Sequence, residues 1–131
     1  MKYLLDSNAV IALMKGHPGF VVEIRKHKPQ DFAIPAIVAH ELFYGAYKGQ
    51  RVADNLARVD ALQFETLDFD REDARKAGEI RAALAILGTP IGAYDVLIAG
   101  QAVARDLILI THNVREFQRV ENMRFEDWES A

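Results

Sequence analysis

The sequence predicts an α/β fold with a short, largely parallel central sheet. Two observations carry this. Short apolar runs alternate with longer segments whose apolar residues recur at helical spacing, along the whole of the 131-residue chain. The clearest run, "LILIT" at 107–111, is apolar on both faces, as a strand covered by helices on both sides must be. No repeat, linker or low-complexity segment interrupts the alternation, so one domain over 1–131 is expected.

Taken in order, Tyr3, Leu4 and Leu5 form a first strand that ends at Asp6. Ser7 is placed to cap a helix through about Met14, which Gly16 and Pro18 stop. A second helix is expected from Phe20 to Lys26. Phe32, Ala33 and Ile34 make the next strand, and Pro35 suits its end or the first turn of the helix carrying "AIVAHELFYGAY". Polar "KGQR" ends that helix. A helix from Val52 to Leu62 precedes strand-like "FETLDF", after which Asp70 caps a long helix over "REDARKAGEIRAALAIL" that Gly88 closes. "GTPIGAYD" is a turn, followed by a helix from Asp95 to Arg105 and then by the "LILIT" strand. The tail carries a helical turn near Arg115 and a strand near Phe125.

Composition narrows the chemistry. Half of the residues are apolar and 27% are charged, the balance of a globular protein, and no 20-residue apolar span appears. The N-terminus shows no basic segment, apolar core or small-residue cleavage pattern, so a cytoplasmic protein without membrane insertion is expected. With no cysteine, thiol nucleophiles and thiolate zinc sites drop out. A net charge of −3 excludes a basic whole-surface footprint for nucleic acid and leaves local contacts, for which Lys15, Lys48, Arg51 and Arg81 are candidates.

In open parallel sheets the functional crevice lies beyond the carboxyl ends of the strands, which draws attention to Asp6 and to Thr111, His112 and Asn113. Among the 19 acidic residues, Glu23, Asp54, Asp60, Glu72, Asp73, Glu116, Glu121 and Glu129 stand among polar neighbours and are expected to face water. Three acids do not fit that description: Asp6 after an apolar strand, Glu41 within "AIVAHELFYG", and Asp95 within "GAYDVLIAG". Acids are seldom buried unless they are paired or hold a metal. If the three meet, two unit charges about 5 Å apart cost roughly 3 kcal/mol at an effective dielectric near 20. Either protons are taken up or a cation sits between them. Oxygen ligands without Cys favour a hard ion such as Mg²⁺ or Mn²⁺. His40 is read as a helix-surface residue, and His17 and His27 as turn residues.

Four segments, "LLDSN", "HELFYGA", "GTPIGAYDVLIAGQA" and "LILITHNVREFQRV", in this order and spacing, closely resemble the PIN-domain ribonucleases, and among them the VapC toxins of toxin–antitoxin pairs. The resemblance covers nearly the whole chain. It implies an α/β/α sandwich and a Mg²⁺-dependent endoribonuclease, with Mn²⁺ as an alternative ion, that leaves a 5′-phosphate and a 3′-hydroxyl. It places the metal ligands on Asp6, Glu41 and Asp95, and lets Asn113 with Thr111 orient the water or the scissile phosphate. Many PIN domains carry a fourth acid where this chain has Asn113, which predicts a weaker second metal. The resemblance further implies an RNA loop as substrate, a homodimer, a VapB-like antitoxin that sends an Arg into the acidic cleft, and DNA contact only through that antitoxin. Two alternatives stay open. One is a PIN-like binding module without nuclease activity; the other is an aspartate-based phosphatase, which wants a second acid where Asn8 stands.

Overall fold

Runs with no polar face become central strands, because only a sheet covered on both sides can hide every side chain they carry. In the computed structural model, which describes residues 1–130, β1 (Tyr3–Leu5) and β2 (Phe32–Pro35) are buried at every position. β4 (Ile108–Ile110) is nearly so. β3 (Glu65–Leu67) and the two-residue β5 (Phe125–Glu126) complete a five-stranded sheet in the order β3-β2-β1-β4-β5, with every pairing parallel.

Seven α-helices surround this sheet among the described residues: α1 (Ser7–Met14), α2 (Pro18–Ile24), α3 (Ala36–Lys48), α4 (Val52–Asp60), α5 (Arg71–Ile86), α6 (Ala93–Ala104) and the short α7 (Val114–Phe117). A core of Leu4, Leu5, Val10, Phe20, Phe32, Val38, Ile98, Leu109 and Phe117, among others, fills the space between the layers. None of the described helices is long and apolar enough to cross a membrane.

Local chemistry explains most boundaries. Asp70 and Asp73 cap α5 reciprocally, each carboxylate accepting the other's backbone N–H over 2.9 and 3.0 Å. Gly88, at φ +69°, takes the left-handed turn that ends the helix. Two expectations are corrected. The cap of α1 is Asp6, whose Oδ1 accepts the Ala9 N–H over 3.0 Å, while the Ser7 hydroxyl points to Glu41. The second helix begins two residues earlier, at Pro18, because His17 Nδ1 accepts the Phe20 N–H and proline suits a first helical turn. His27 likewise packs within the structure, its ring stacked on Trp128 with centroids 5.4 Å apart.

Asp73, expected to face water, is instead 1% exposed. Arg105 at the end of α6 donates from Nε and Nη2 to its two carboxylate oxygens, at 3.2 and 3.0 Å, and Gln101 Nε2 adds a third bond at 3.0 Å. This network clamps α5 to α6. Their backbones run close together where Gly100 faces Ala77, and a Cβ on Gly100 would lie 2.5 Å from the Ala77 Cβ.

The strand order has a consequence for function. From β1 the chain winds outward through β2 to β3, then crosses back to place β4 on the other side of β1. The junction of β1 and β4 is therefore a topological switch point, where the loops leaving adjacent strands diverge and open a crevice. Asp6 leaves one strand there and Thr111 the other.

Candidate active site

Each acid of the crevice is delivered by a different element. Asp6 follows β1 directly and is 4% exposed. Burial pushes its carboxyl from 3.8 up to about 6; hydrogen bonds from the Thr111 hydroxyl and the Ala9 N–H act against the rise, and the charges of Glu129 and Glu41 add to it. Glu41 lies in the second turn of α3, half-buried, and its Oε1 accepts the Ser7 hydroxyl over 2.8 Å. That bond fixes the reach of a long side chain from one helix by the first residue of another.

Asp95 enters from the first turn of α6, half-buried. Its carboxyl is lifted to about 7, first by burial, then by a hydrogen bond and charge shared with Glu116, then by the charges of Asp6 and Glu41. A Cβ on Gly92 would stand 3.1 Å from Asp95 Oδ2, so the turn before α6 keeps the carboxylate's surroundings open by omitting a side chain. Asn113 Nδ2 lies between two acids, donating to Glu116 Oε2 over 3.0 Å and reaching Asp95 Oδ2 at 3.4 Å.

The residues singled out in the sequence thus come together: Asp6, Glu41 and Asp95 lie within electrostatic reach of one another, with Asn113 against Asp95. Thr111 is placed differently from the others. At 1% exposure, its hydroxyl accepts the Asn113 N–H over 2.9 Å and faces Asp6, so it fixes two site residues from beneath.

One acid of the site escaped the sequence reading. Glu116, expected to face water, sits on α7 beside Asp95, and its interaction with Asp95 holds its own carboxyl below the usual range. It stands three residues beyond Asn113, nearly one helical turn, and that spacing in "NVREF" is the signal that could have found it. The negative charge missing at Asn113 is thereby supplied from the next turn. Glu129, also expected in solvent, is half-buried and raises Asp6.

Four carboxylates act on one another electrostatically here, and burial and these neighbours raise two of them, Asp6 and Asp95, toward neutrality. Their oxygens are of the kind a hard divalent cation takes, although they are not drawn within 4.8 Å of one another as a group. Among the described residues, the group that does bring one ligand atom each within 4.8 Å of the others is His112, Asp127 and Glu129. There, however, both Asp127 oxygens are engaged, by the His112 ring, the Ser130 hydroxyl and the Glu129 N–H. It is a hydrogen-bonded cluster.

Residues 3–123 match the family model for the PIN domain. The chain belongs to the PIN-domain family. Its VapC-type relatives include the tRNA(fMet)-specific endonuclease VapC of Salmonella typhimurium, 41% identical over 130 residues that cover 98% of each chain. Ribonuclease VapC2 of Haemophilus influenzae is 34% identical over the same share of both chains. Among solved structures, the DNA-bound VapBC complex of Salmonella typhimurium superposes with a TM-score of 0.92 at 41% identity, over 98% of each chain. The PIN fold expected from the sequence is thus the fold observed, an all-parallel sheet between helical layers.

Proposed function

We propose that this chain is a divalent-metal-dependent endoribonuclease toxin that acts on RNA in the cytoplasm and is silenced by a VapB-like antitoxin. The observation that carries the reading is the gathering of Asp6, Glu41, Asp95 and Glu116 at the β1/β4 switch point, in a chain whose VapC relatives are named ribonucleases.

Asp6, Glu41 and Asp95 hold Mg²⁺ or, alternatively, Mn²⁺. When bound, such an ion supplies a more acidic water and positive charge against the phosphate oxygens. The chain's own groups do the rest. Thr111 and the Ala9 N–H keep Asp6 turned toward the cleft, and Ser7 does the same for Glu41. Asn113, neutral and donating, orients the scissile phosphate. Glu116, beside Asp95 but outside the ligand set and favouring its ionised form, can take up the proton that the attacking water gives up. The water's oxygen bonds to phosphorus, the P–O3′ bond breaks, and the departing 3′-oxygen takes its proton from solvent, giving a 5′-phosphate and a 3′-hydroxyl.

Two surfaces support the partners. A groove between α1, α3 and α4 is lined by Ile11, Met14, Leu42 and Val59, with Glu41, Lys15 and Arg58 also in its wall. It suits an apolar antitoxin segment that ends in a guanidinium, a planar donor matched to carboxylates. Tyr44, Tyr47 and Tyr94 are exposed, as are Ile86 and Leu87, which supports a homodimer that covers part of this surface.

Purified protein incubated with total tRNA, initiator tRNA first, tests the proposal. Fragments with 5′-phosphates that appear with Mg²⁺, vanish with EDTA and are absent with Asp6→Asn are expected. RNA left intact by the wild type under all divalent ions would overturn the proposal and leave the binding-module and phosphatase readings.

A further inference from the structure

The loop leaving β4 carries a residue that the acidic centre does not use. Resting on the ribonuclease reading, we propose that His112 is a phosphate-binding residue, whose Nε2, aimed by Asp127, holds a phosphate of the RNA strand beside the scissile bond.

His112 stands between Thr111 and Asn113, whose side chains both turn to the acids. Its backbone N–H donates to Asn8 Oδ1 over 3.1 Å, which ties the loop to the first turn of α1, two residues after Asp6. The ring is held from behind. Nδ1 lies 3.0 and 3.2 Å from the two oxygens of Asp127, and that carboxylate is itself fixed by the Ser130 hydroxyl at 2.7 Å and the Glu129 N–H at 3.0 Å. Among the described residues Nε2 has no protein partner, and the side chain is 58% exposed.

An ion pair to an exposed ring contributes little to stability, so stability gives little reason for so many bonds to converge on the carboxylate that orients one surface ring. Orientation of the ring gives a better one. The crevice gathers four acids in a chain of net charge −3, and a polyanion that enters it needs a positive donor at the rim. His112 lies within electrostatic reach of Asp6. Asp127 first, and then the charges of Glu129 and Asp6, raise its ring above the ordinary imidazole range and favour the cation.

Steady-state cleavage of a tRNA that the wild type cuts, measured with the full chain across salt concentrations, tests this. His112→Gln keeps the size and a donor but loses the charge. It should raise KM about five- to tenfold, leave kcat within about twofold, and reduce the slope of log affinity against log salt by about 0.7, the share of one contact to a single strand. His112→Lys should restore most of the affinity. Asp127→Asn should match the wild type near pH 6 and fall toward His112→Gln near pH 8, because its charge, more than those of Glu129 and Asp6, keeps the ring protonated. A His112→Gln variant with wild-type KM and salt slope overturns the inference while the ribonuclease reading stands. A wild type that cuts no RNA overturns both.

Discussion

The Asn113 amide joins Asp95 and Glu116, reaching one carboxylate at 3.4 Å and donating to the other over 3.0 Å, and the two acids are driven in opposite directions, Asp95 up and Glu116 down. The stability signature of Asp95 is opposite in sign to that of an ordinary salt-bridged acid. Asp95 is raised from 3.8 to about 7 and Asp6 to about 6, so between the ordinary and raised values the folded chain keeps protons that the unfolded chain has released. Stability then falls as pH rises through that window. In EDTA, the melting temperature should drop between about pH 5 and pH 8, and saturating Mg²⁺ should flatten the fall, since a cation replaces the protons. A metal-free melting temperature that climbs over this range would contradict the raised carboxyls of Asp6 and Asp95.

Glu116→Gln follows from the same pair. The amide removes the charge that holds a proton on Asp95, so the metal-free variant should lose less stability than the wild type as pH rises. Cleavage should nevertheless fall by about 10- to 100-fold, as when a group that supports metal ligands is removed. Thermal scans in EDTA beside a rate assay separate the effects. Wild-type cleavage by this variant would remove Glu116 from the site.

Asp73 makes a contrasting prediction, because Arg105 and Gln101 hold its carboxyl below the usual range. Its contribution is present above the ordinary carboxylate value and is lost as pH falls. Asp73→Ala leaves Arg105 without its buried partner and should cost about 3 kcal/mol near neutral pH, the low end for breaking a buried pair because the guanidinium is partly exposed. The loss should shrink toward about pH 3. Cleavage per folded molecule should not change.

How far the site was legible depended on whether a residue's role was set locally. Asp6 and Asp95 stood out because each interrupts an apolar stretch, and Glu41 because its helix face is largely apolar. Glu116 is marked only by its spacing from Asn113, and Asp73 lies among other charged residues, where nothing nearby in sequence distinguishes it from a solvated acid. Their partners, Asp95 and Arg105, are 21 and 32 residues away and meet them only once α6 packs against its neighbours. The cap of α1 failed for a related reason. Ser7 obeys the local rule for a first-turn hydroxyl, but Glu41, 34 residues on, claims it, and the preceding carboxylate takes the cap. The three central strands were the most legible, since burial on both faces leaves an apolar run, whereas the edge strands β3 and β5 expose polar residues and carry a weaker signal.

The α5–α6 contact that brings Asp95 to the crevice rests on a missing methyl group. At Gly100 a Cβ would meet Ala77 at 2.5 Å from its Cβ and 2.6 Å from its Cα and N, and backbone cannot swing aside as a side-chain tip does. Gly100→Ala should therefore cost about 1–3 kcal/mol, despite alanine's higher helix propensity. Trimming the neighbour as well, with Ala77→Gly, relieves only the Cβ contact and should recover a minor part. Gly78, one position along on α5, has nothing within 4 Å of its Cβ position, so Gly78→Ala should gain about 0.5–1 kcal/mol from the propensity difference alone. Chemical denaturation of the three variants measures all of this on one scale. If Gly100→Ala and Gly78→Ala moved stability in the same direction by similar amounts, close approach of the two helices would not be what glycine provides at position 100.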